Sequence, residues 1–438
     1  MRPKNGRRVA FHTLGCKVNQ YDTQAMQEKF EQSGYIITDF NDFADIYVIN
    51  TCTVTNLGDR KSRQMIRRAN RHNPNAVIAV VGCYAQTAPE EILEIPGVNL
   101  VLGTRERNKI VEYVEQVLET GEPINLIRDI MEVREFEEMP ISTYDEKTRA
   151  VLKIQEGCDR YCSYCIIPYA RGPVRSRKPE DVISQVHSLV KAGFQEFVLT
   201  GIHVASYGKD LNNVDLLSLI EEIAKIEGVE RIRLGSLEPT LLTEDYVKGI
   251  KDIIKVCRHY HLSLQSGHDH TLKRMNRKYN TKEYREIVDR LRKYIPNVAI
   301  TTDIMVGFPG ETQEEFEGTM DFVKSIGFSR IHVFKYSPRQ GTPAARYKDQ
   351  VPEDIKEIRS RKLIALGKEM ELNYLKTFID KEELVLFEEK SKEKKDWYEG
   401  YTDHYIRVAV QYNDSLIGKI VPVCLETIQD GIMLGTLK

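Results

Sequence analysis

Apolar residues along this chain follow two rhythms. Short unbroken runs at 9–14, 46–50, 76–81 and 99–102 are separated by helically spaced stretches at 22–33, 59–72, 89–95 and 108–120. Unbroken runs of that length suit parallel strands covered on both faces. Residues 7–120 therefore predict a doubly wound α/β domain. From 121 to 148 the pattern weakens and acids gather (Glu132, Glu135, Glu137, Glu138), as in a linker, although its apolar residues also suit an edge strand. A second alternation fills 149–378, with apolar runs at 151–154, 197–199, 231–234, 261–264, 298–306 and 331–334. Helical patterns between them begin near Pro179, Leu216, Glu244, Thr281 and Gln313, and a long charged one covers 353–378. Six such units predict a partial (βα)6 barrel rather than the full eight. Short strand-like runs at 384–387, 405–410 and 418–423, with a turn at Gly431, predict a small β-barrel over 379–438.

Composition narrows the class. With 438 residues, 41% hydrophobic and 29% charged, the chain suits two or three globular domains. A net charge of −2 exerts no overall pull on nucleic acid, so any such contact needs local basic patches. The basic start, residues 1–11, has no long apolar run behind it, and neither a signal peptide nor a membrane span is expected. Eight cysteines without a secretory signal read as metal ligands or buried thiols in a reducing compartment, the cytoplasm by default.

The thiols carry the candidate chemistry. Cys158, Cys162 and Cys165 follow the run at 151–154, and Gly157 permits a tight turn before them. Thiolates suit an iron–sulfur cluster or zinc. A cubane takes four cysteines, so three leave one iron open; a structural zinc needs a fourth ligand that this loop lacks. Cys16, Cys52 and Cys83 each follow one of the first three apolar runs. In a parallel sheet those positions share one edge, so the three either converge or remain separate buried thiols. Cys257 and Cys424 have no partners at ligand spacing and read as buried structural thiols. Arg60, Lys61, Arg63, Arg67, Arg68 and Arg71 crowd one predicted helix, as a solvated face or a phosphate-contacting surface. A second basic cluster comprises Arg171, Arg175, Arg177 and Lys178.

The words around these residues go further. Cys-x3-Cys-x2-Cys at 158–165, with Tyr164 before the last cysteine, resembles the radical S-adenosylmethionine (SAM) superfamily, and residues 166–177 resemble its methylthiotransferase branch. The words around Cys16, Cys52 and Cys83 resemble the amino-terminal domain of that branch. The resemblance implies two 4Fe–4S clusters, one on each cysteine triad, the amino-terminal one carrying or activating the inserted sulfur. It implies a SAM pocket in which Tyr164 lies near the adenine, Thr200 and Gly201 meet the methionine amino group, Gln265 and Ser266 the ribose, and Val306, Gly307 and Tyr336 the adenine. Residues 400–405 resemble the TRAM RNA-binding barrel, with Tyr401 offered to unpaired bases. The first cysteine word looks most like the branch acting on N6-threonylcarbamoyladenosine beside the tRNA anticodon, with one SAM as methyl donor and one as radical source. Implied partners are the tRNA anticodon stem-loop, an electron donor such as flavodoxin or ferredoxin, and a sulfur donor, with no membrane. The alternatives are the branch acting on N6-isopentenyladenosine, the one acting on a ribosomal-protein aspartate, and a non-enzymatic iron–sulfur RNA-binding sensor.

Overall fold

The computed structural model describes residues 6–142, 148–391, 396–412 and 414–438. Strands β1 (Arg8–Thr13), β2 (Ile36–Thr38), β3 (Ile46–Thr51), β4 (Val77–Gly82), β5 (Val98–Val101) and β6 (Ile124–Asn125) form one sheet. It is parallel throughout, in the order β2-β1-β3-β4-β5-β6. Helices α1 (Lys17–Gln32), α2 (Asn56–His72), α3 (Cys83–Thr87), α4 (Pro89–Leu93) and α5 (Ile110–Thr120) cover both faces. Ile49, Ile78 and Val80 pack with Ile66 of α2 on one face; Val48, Ala79 and Val81 pack with Phe30 of α1 and Val114 of α5 on the other. The doubly wound layout follows from the unbroken apolar strands. Helix α1 starts five residues ahead of the expected 22, because Cys16 already takes its N-cap position. Strand β2 and helix α3 are too short for periodicity to reveal.

The 121–142 stretch is packed. Ile124–Asn125 adds as the sheet edge, and Ile130, Met139 and Ile141 are buried.

Strand β7 (Arg149–Glu156) opens the second unit, followed by α6 (Ile167–Arg171), β8 (Arg175–Ser176) and α7 (Pro179–Lys191). Then come β9 (Glu196–Gly201), α8 (Leu216–Ala224), β10 (Arg231–Leu234), α9 (Glu244–Lys251), β11 (His259–His261) and α10 (Asp269–Arg274). The unit ends with α11 (Thr281–Tyr294), β12 (Ala299–Val306), α12 (Gln313–Ile326) and β13 (Arg330–Lys335). Two sheets, β10-β9-β7-β8 and β11-β12-β13, are joined by single parallel bridges, Ile232 to Val256 and Leu237 to Leu262. Six parallel strands thus curve into the expected partial barrel, with the short β8 antiparallel at one edge. Reciprocal capping boxes at Asp215/Ser218, Asn280/Glu283 and Thr312/Glu315 fix three of the helix starts that the sequence places well.

Helix α13 (Glu353–Lys376) packs on β13, with Gly367 against Ile331 and Arg330 paired to Glu371. It leads into β14 (Glu382–Lys390), β15 (Trp397–Thr402), β16 (Arg407–Gln411), β17 (Ile420–Gln429) and β18 (Ile432–Leu437), which close a barrel in the order β14-β15-β16-β18-β17. This barrel docks where the partial-barrel strands begin. Arg231 donates to the carbonyls of Leu384 and Tyr401, Arg233 to those of Thr402 and Asp403, and Arg258 pairs with Asp403.

Candidate active site

Strands β1, β3 and β4 are parallel neighbours, about 4.8 Å apart as in any sheet, and their carboxyl ends share one edge. Strand addition reverses between β1 and β3, a switch point of the kind where open sheets bind ligands. Cys16, Cys52 and Cys83 follow these three ends. Gly15 lets the first two loops approach: it sits at φ +109°, and a Cβ there would lie 2.9 Å from Cys52 Cβ and 3.1 Å from its sulfur. Asn19 Nδ2 ties the loops further, donating to the carbonyls of Leu14 (2.7 Å) and Thr51 (3.0 Å). Burial pushes the Cys83 thiol up to about 11 and raises that of Cys52.

The second triad follows β7. Gly157 turns at φ +75° against the Pro173 carbonyl, where any Cβ would collide, and Cys158 N–H donates to the Gly172 carbonyl. Ser163 pins the middle of the loop, donating its amide to the Met275 carbonyl and its hydroxyl to that of Arg274. Burial pushes Cys158 up to about 11 and Cys165 up to about 12. Metal loading at either triad must therefore release protons.

Each triad has one arginine on a sulfur. Arg171 Nε donates to Cys83 Sγ at 3.1 Å, and Arg277 Nη1 to Cys162 Sγ at 3.3 Å. Such donors stabilise sulfur that carries negative charge. Neither triad gathers its three sulfurs within 4.8 Å of one another. Thiolates on one tetrahedral zinc sit about 3.8 Å apart, given Zn–S near 2.3 Å.

A buried charge cluster joins the two triads. Arg107, Lys153 and Arg171 face Asp22, Glu137 and Glu156, all enclosed. Burial works against the charge on Asp22, yet Arg107, Lys153 and Arg171 outweigh it and hold the carboxyl below its ordinary range. Arg171 alone touches Cys83, Asn19 and Asp22 on one side and Glu156 of β7 on the other. The second basic cluster is thereby corrected: Arg171, Arg175 and Arg177 are buried, and only Lys178 is exposed. A second tie comes from Arg339, after β13, which donates to Thr53 and Asn56 and pairs with Asp59 at 2.6 Å. Nothing in the local sequence pattern marks Arg107 or Arg277 as site residues, and Arg339 is marked only by its place three residues past Tyr336, in the same post-strand loop.

Two cavities meet at these loops. One, about 240 Å³, is lined by Val54 and Thr55 of the Cys52 loop, by Tyr164, Cys165 and Ile166, and by Gln265, Asp303, Met305 and Tyr336. The Tyr336 hydroxyl is buried there without a hydrogen-bond partner, and Gln265 sits at φ +70°. Other residues expected at a SAM pocket have packing partners: Ser266 shares its hydroxyl with Thr319, Val306 is in the core, and Gly307 N–H donates to Glu311. Thr200 is buried at the end of β9, and Gly201 lies against Gln155. The larger cavity, about 830 Å³, lies between α2, α3 and the loop after Cys165, and Ile166 lines both.

On α2, Arg60, Lys61, Arg67 and Arg71 are exposed. Arg68 bonds Asn41 and His72, and Arg63 turns inward onto the Tyr84 hydroxyl at 2.7 Å. Tyr401 is stacked on Tyr405 (4.9 Å) with Arg149 over both rings, inside the docking face of the small barrel and away from its free surface. Its ring is thus already partnered by Tyr405 and Arg149. Cys257 is buried as expected, whereas Cys424 is only partly so.

Residues 152–323 match the Radical SAM superfamily, and residues 8–103 match a family described as "Uncharacterized protein family UPF0004". The chain is 48% identical over 418 residues to the threonylcarbamoyladenosine tRNA methylthiotransferase MtaB of Bacillus subtilis, covering 95% of this chain and 93% of that one. It is 40% identical to the MtaB of Aquifex aeolicus (95% and 100% covered). To the tRNA-2-methylthio-N(6)-dimethylallyladenosine synthase of Clostridium tetani it is 39% identical (94% and 92% covered). Among solved structures, the radical SAM methyltransferase TsrM of Kitasatospora setae shares the fold, with a TM-score of 0.58 at 15% identity over 78% of this chain and 77% of that one. The chain belongs to the radical SAM methylthiotransferase family, whose MtaB-type members bind two 4Fe–4S clusters and use SAM.

Proposed function

We propose that this protein methylthiolates C2 of N6-threonylcarbamoyladenosine beside the anticodon of tRNA. The observation that carries this reading is the 240 Å³ cavity, walled on one side by the Cys52 loop and on the other by Cys165. One substrate atom placed there is within reach of both triads. The 48% identity to the MtaB of Bacillus subtilis, against 39% to the dimethylallyladenosine synthase, supports the threonylcarbamoyl branch over the isopentenyl one.

In this reading Cys158, Cys162 and Cys165 hold the SAM-binding cluster, and Cys16, Cys52 and Cys83 the second. When bound, these groups and SAM supply reductive SAM cleavage, the sulfur and the methyl group. An external electron donor such as flavodoxin or ferredoxin, and a sulfur donor, complete the set. The chain's own residues hold and orient. Arg171 and Arg277 place N–H donors on ligand sulfurs. Tyr164, Gln265 and Tyr336 face the adenosyl end, the unpartnered Tyr336 hydroxyl being free to bond it, while Thr200, Gly201, Ser266, Val306 and Gly307 shape the loops behind. Tyr164 packs edge-on against Phe308, which excludes water from that end. The exposed α2 arginines contact phosphates, positioning RNA without reading its sequence.

The test is nucleoside mass spectrometry of threonylcarbamoylated tRNA after incubation with reconstituted protein, SAM, reductant and sulfide. The expected result is a nucleoside heavier by one methylthio group. Product on an isopentenylated tRNA alone would move the protein to the other branch.

A further inference from the structure

The 830 Å³ cavity is larger than an adenine ring requires and is lined mainly by polar side chains. Asp59, Arg63, Tyr84, Thr87, Arg339 and Gln340 all border it. Asp59 and Arg339 on its wall are held by one another at 2.6 Å. Arg63 gives Nη1 to Tyr84, whose hydroxyl donates on to Glu91, and no described residue accepts from its Nε or Nη2. That free edge is the planar fork that pairs with a carboxylate. Glu90 and Glu91 also border the cavity; Glu91 is held by Tyr84 and lies 3.8 Å from Arg63. An unpaired guanidinium edge bordering a cavity marks a place where a ligand can complete the bonding.

The cavity adjoins the chemical site. Ile166 lines both cavities, and one loop walls them, with Val54 and Thr55 on the smaller and Asn56 on the larger. On an adenine ring C2 and C6 flank N1, so their substituents diverge. A base with C2 at the small cavity directs its N6 substituent elsewhere, and the large cavity is the adjoining space.

Resting on the proposed function, we infer that this cavity reads the N6 substituent, with the free edge of Arg63 taking its carboxylate. A threonylcarbamoyl group carries a ureido link, a hydroxyl and a carboxylate; an isopentenyl group is hydrocarbon. Filling this cavity with hydrocarbon leaves the free edge of Arg63 unpaired. Sites built to hydrogen-bond a substrate reject analogues that lack the group far more strongly than apolar pockets reject a poor fit.

The test measures binding of the full-length, two-cluster protein to synthetic anticodon stem-loops. These carry N6-threonylcarbamoyladenosine, its carboxylate methyl ester, N6-isopentenyladenosine or adenosine beside the anticodon. The unaltered protein is expected to bind the first at least tenfold tighter than the other three. Arg63→Gln should abolish the distinction between acid and ester. Gln340→Glu changes an exposed side chain, so folding is not at stake; its added charge should weaken the acid and spare the ester and the isopentenyl stem-loop. Equal affinity of the unaltered protein for all four, or variants that weaken all four alike, would overturn the inference. If no methylthiolated product forms on threonylcarbamoylated tRNA, the proposed function fails. Should product form while binding ignores Arg63 and Gln340, only the cavity assignment fails.

Discussion

At the scale of residues, the buried cluster around Asp22 decides how the two triads face each other. Arg107, Lys153 and Arg171 balance Asp22, Glu137 and Glu156 in a fully enclosed site. Removing one member leaves an uncompensated buried charge, a loss of about 3–5 kcal/mol. Asp22→Asn is therefore expected to lower the urea midpoint by that equivalent, and an unchanged midpoint would show that the cluster is slack. The pH dependence has a definite sign. Asp22 and Glu156 are held below the ordinary carboxylate range despite burial, by the cations named. Their contribution is complete above pH ~4 and is lost as pH falls further through their folded values. The Asn variant should accordingly lose less stability than the parent on acidification. The cysteines were legible from spacing because ligand chemistry writes itself locally. Asp22, Arg107 and Glu156 were not, since a lone charged residue reads as surface until its partner arrives from another element.

At the scale of elements, helix starts were readable where a reciprocal capping box marked them, as at Asp215, Asn280 and Thr312. One-turn and three-residue elements such as α3 and β2 were not, being shorter than the period that would reveal them. The basic helix α2 divides by face: Arg60, Arg67 and Arg71 point to solvent, whereas Arg63 and Arg68 have protein partners. Substituting Arg60, Arg67 and Arg71 by Gln should reduce the salt dependence of RNA binding by roughly one log–log unit per lost phosphate contact. An unchanged slope would return this face to simple solvation. The β15–β16 turn carries a pH-sensitive contact. Burial disfavours charge on His404, but Asp403 and Glu383 override it and raise its pKa, with Arg258 opposing weakly. A raised histidine contributes fully below about pH 6.5 and loses that contribution as pH rises through its folded value. The melting temperature of the parent should thus fall more between pH 6 and pH 9 than that of His404→Gln; parallel curves would contradict the pairing.

At the scale of the molecule, the partial barrel has two ends with different duties. Both cysteine triads and both cavities lie where strands finish, and the small barrel covers where β10 and β11 begin, through Arg231, Arg233 and Arg258. Its aromatic pair Tyr401 and Tyr405 is spent on that docking. The three-part order was readable from the chain, because each part has its own apolar rhythm. The docking was not, since it rests on arginines bonded to backbone carbonyls, which leave no sequence pattern. In the proposed function the two triads do different work on one substrate held between them. The most direct measurement follows two products at once, 5′-deoxyadenosine and the methylthiolated nucleoside, in a variant with Cys16, Cys52 and Cys83 replaced by Ala. Continued 5′-deoxyadenosine formation with no methylthiolated nucleoside is the expected result; methylthiolated nucleoside from that variant would contradict it.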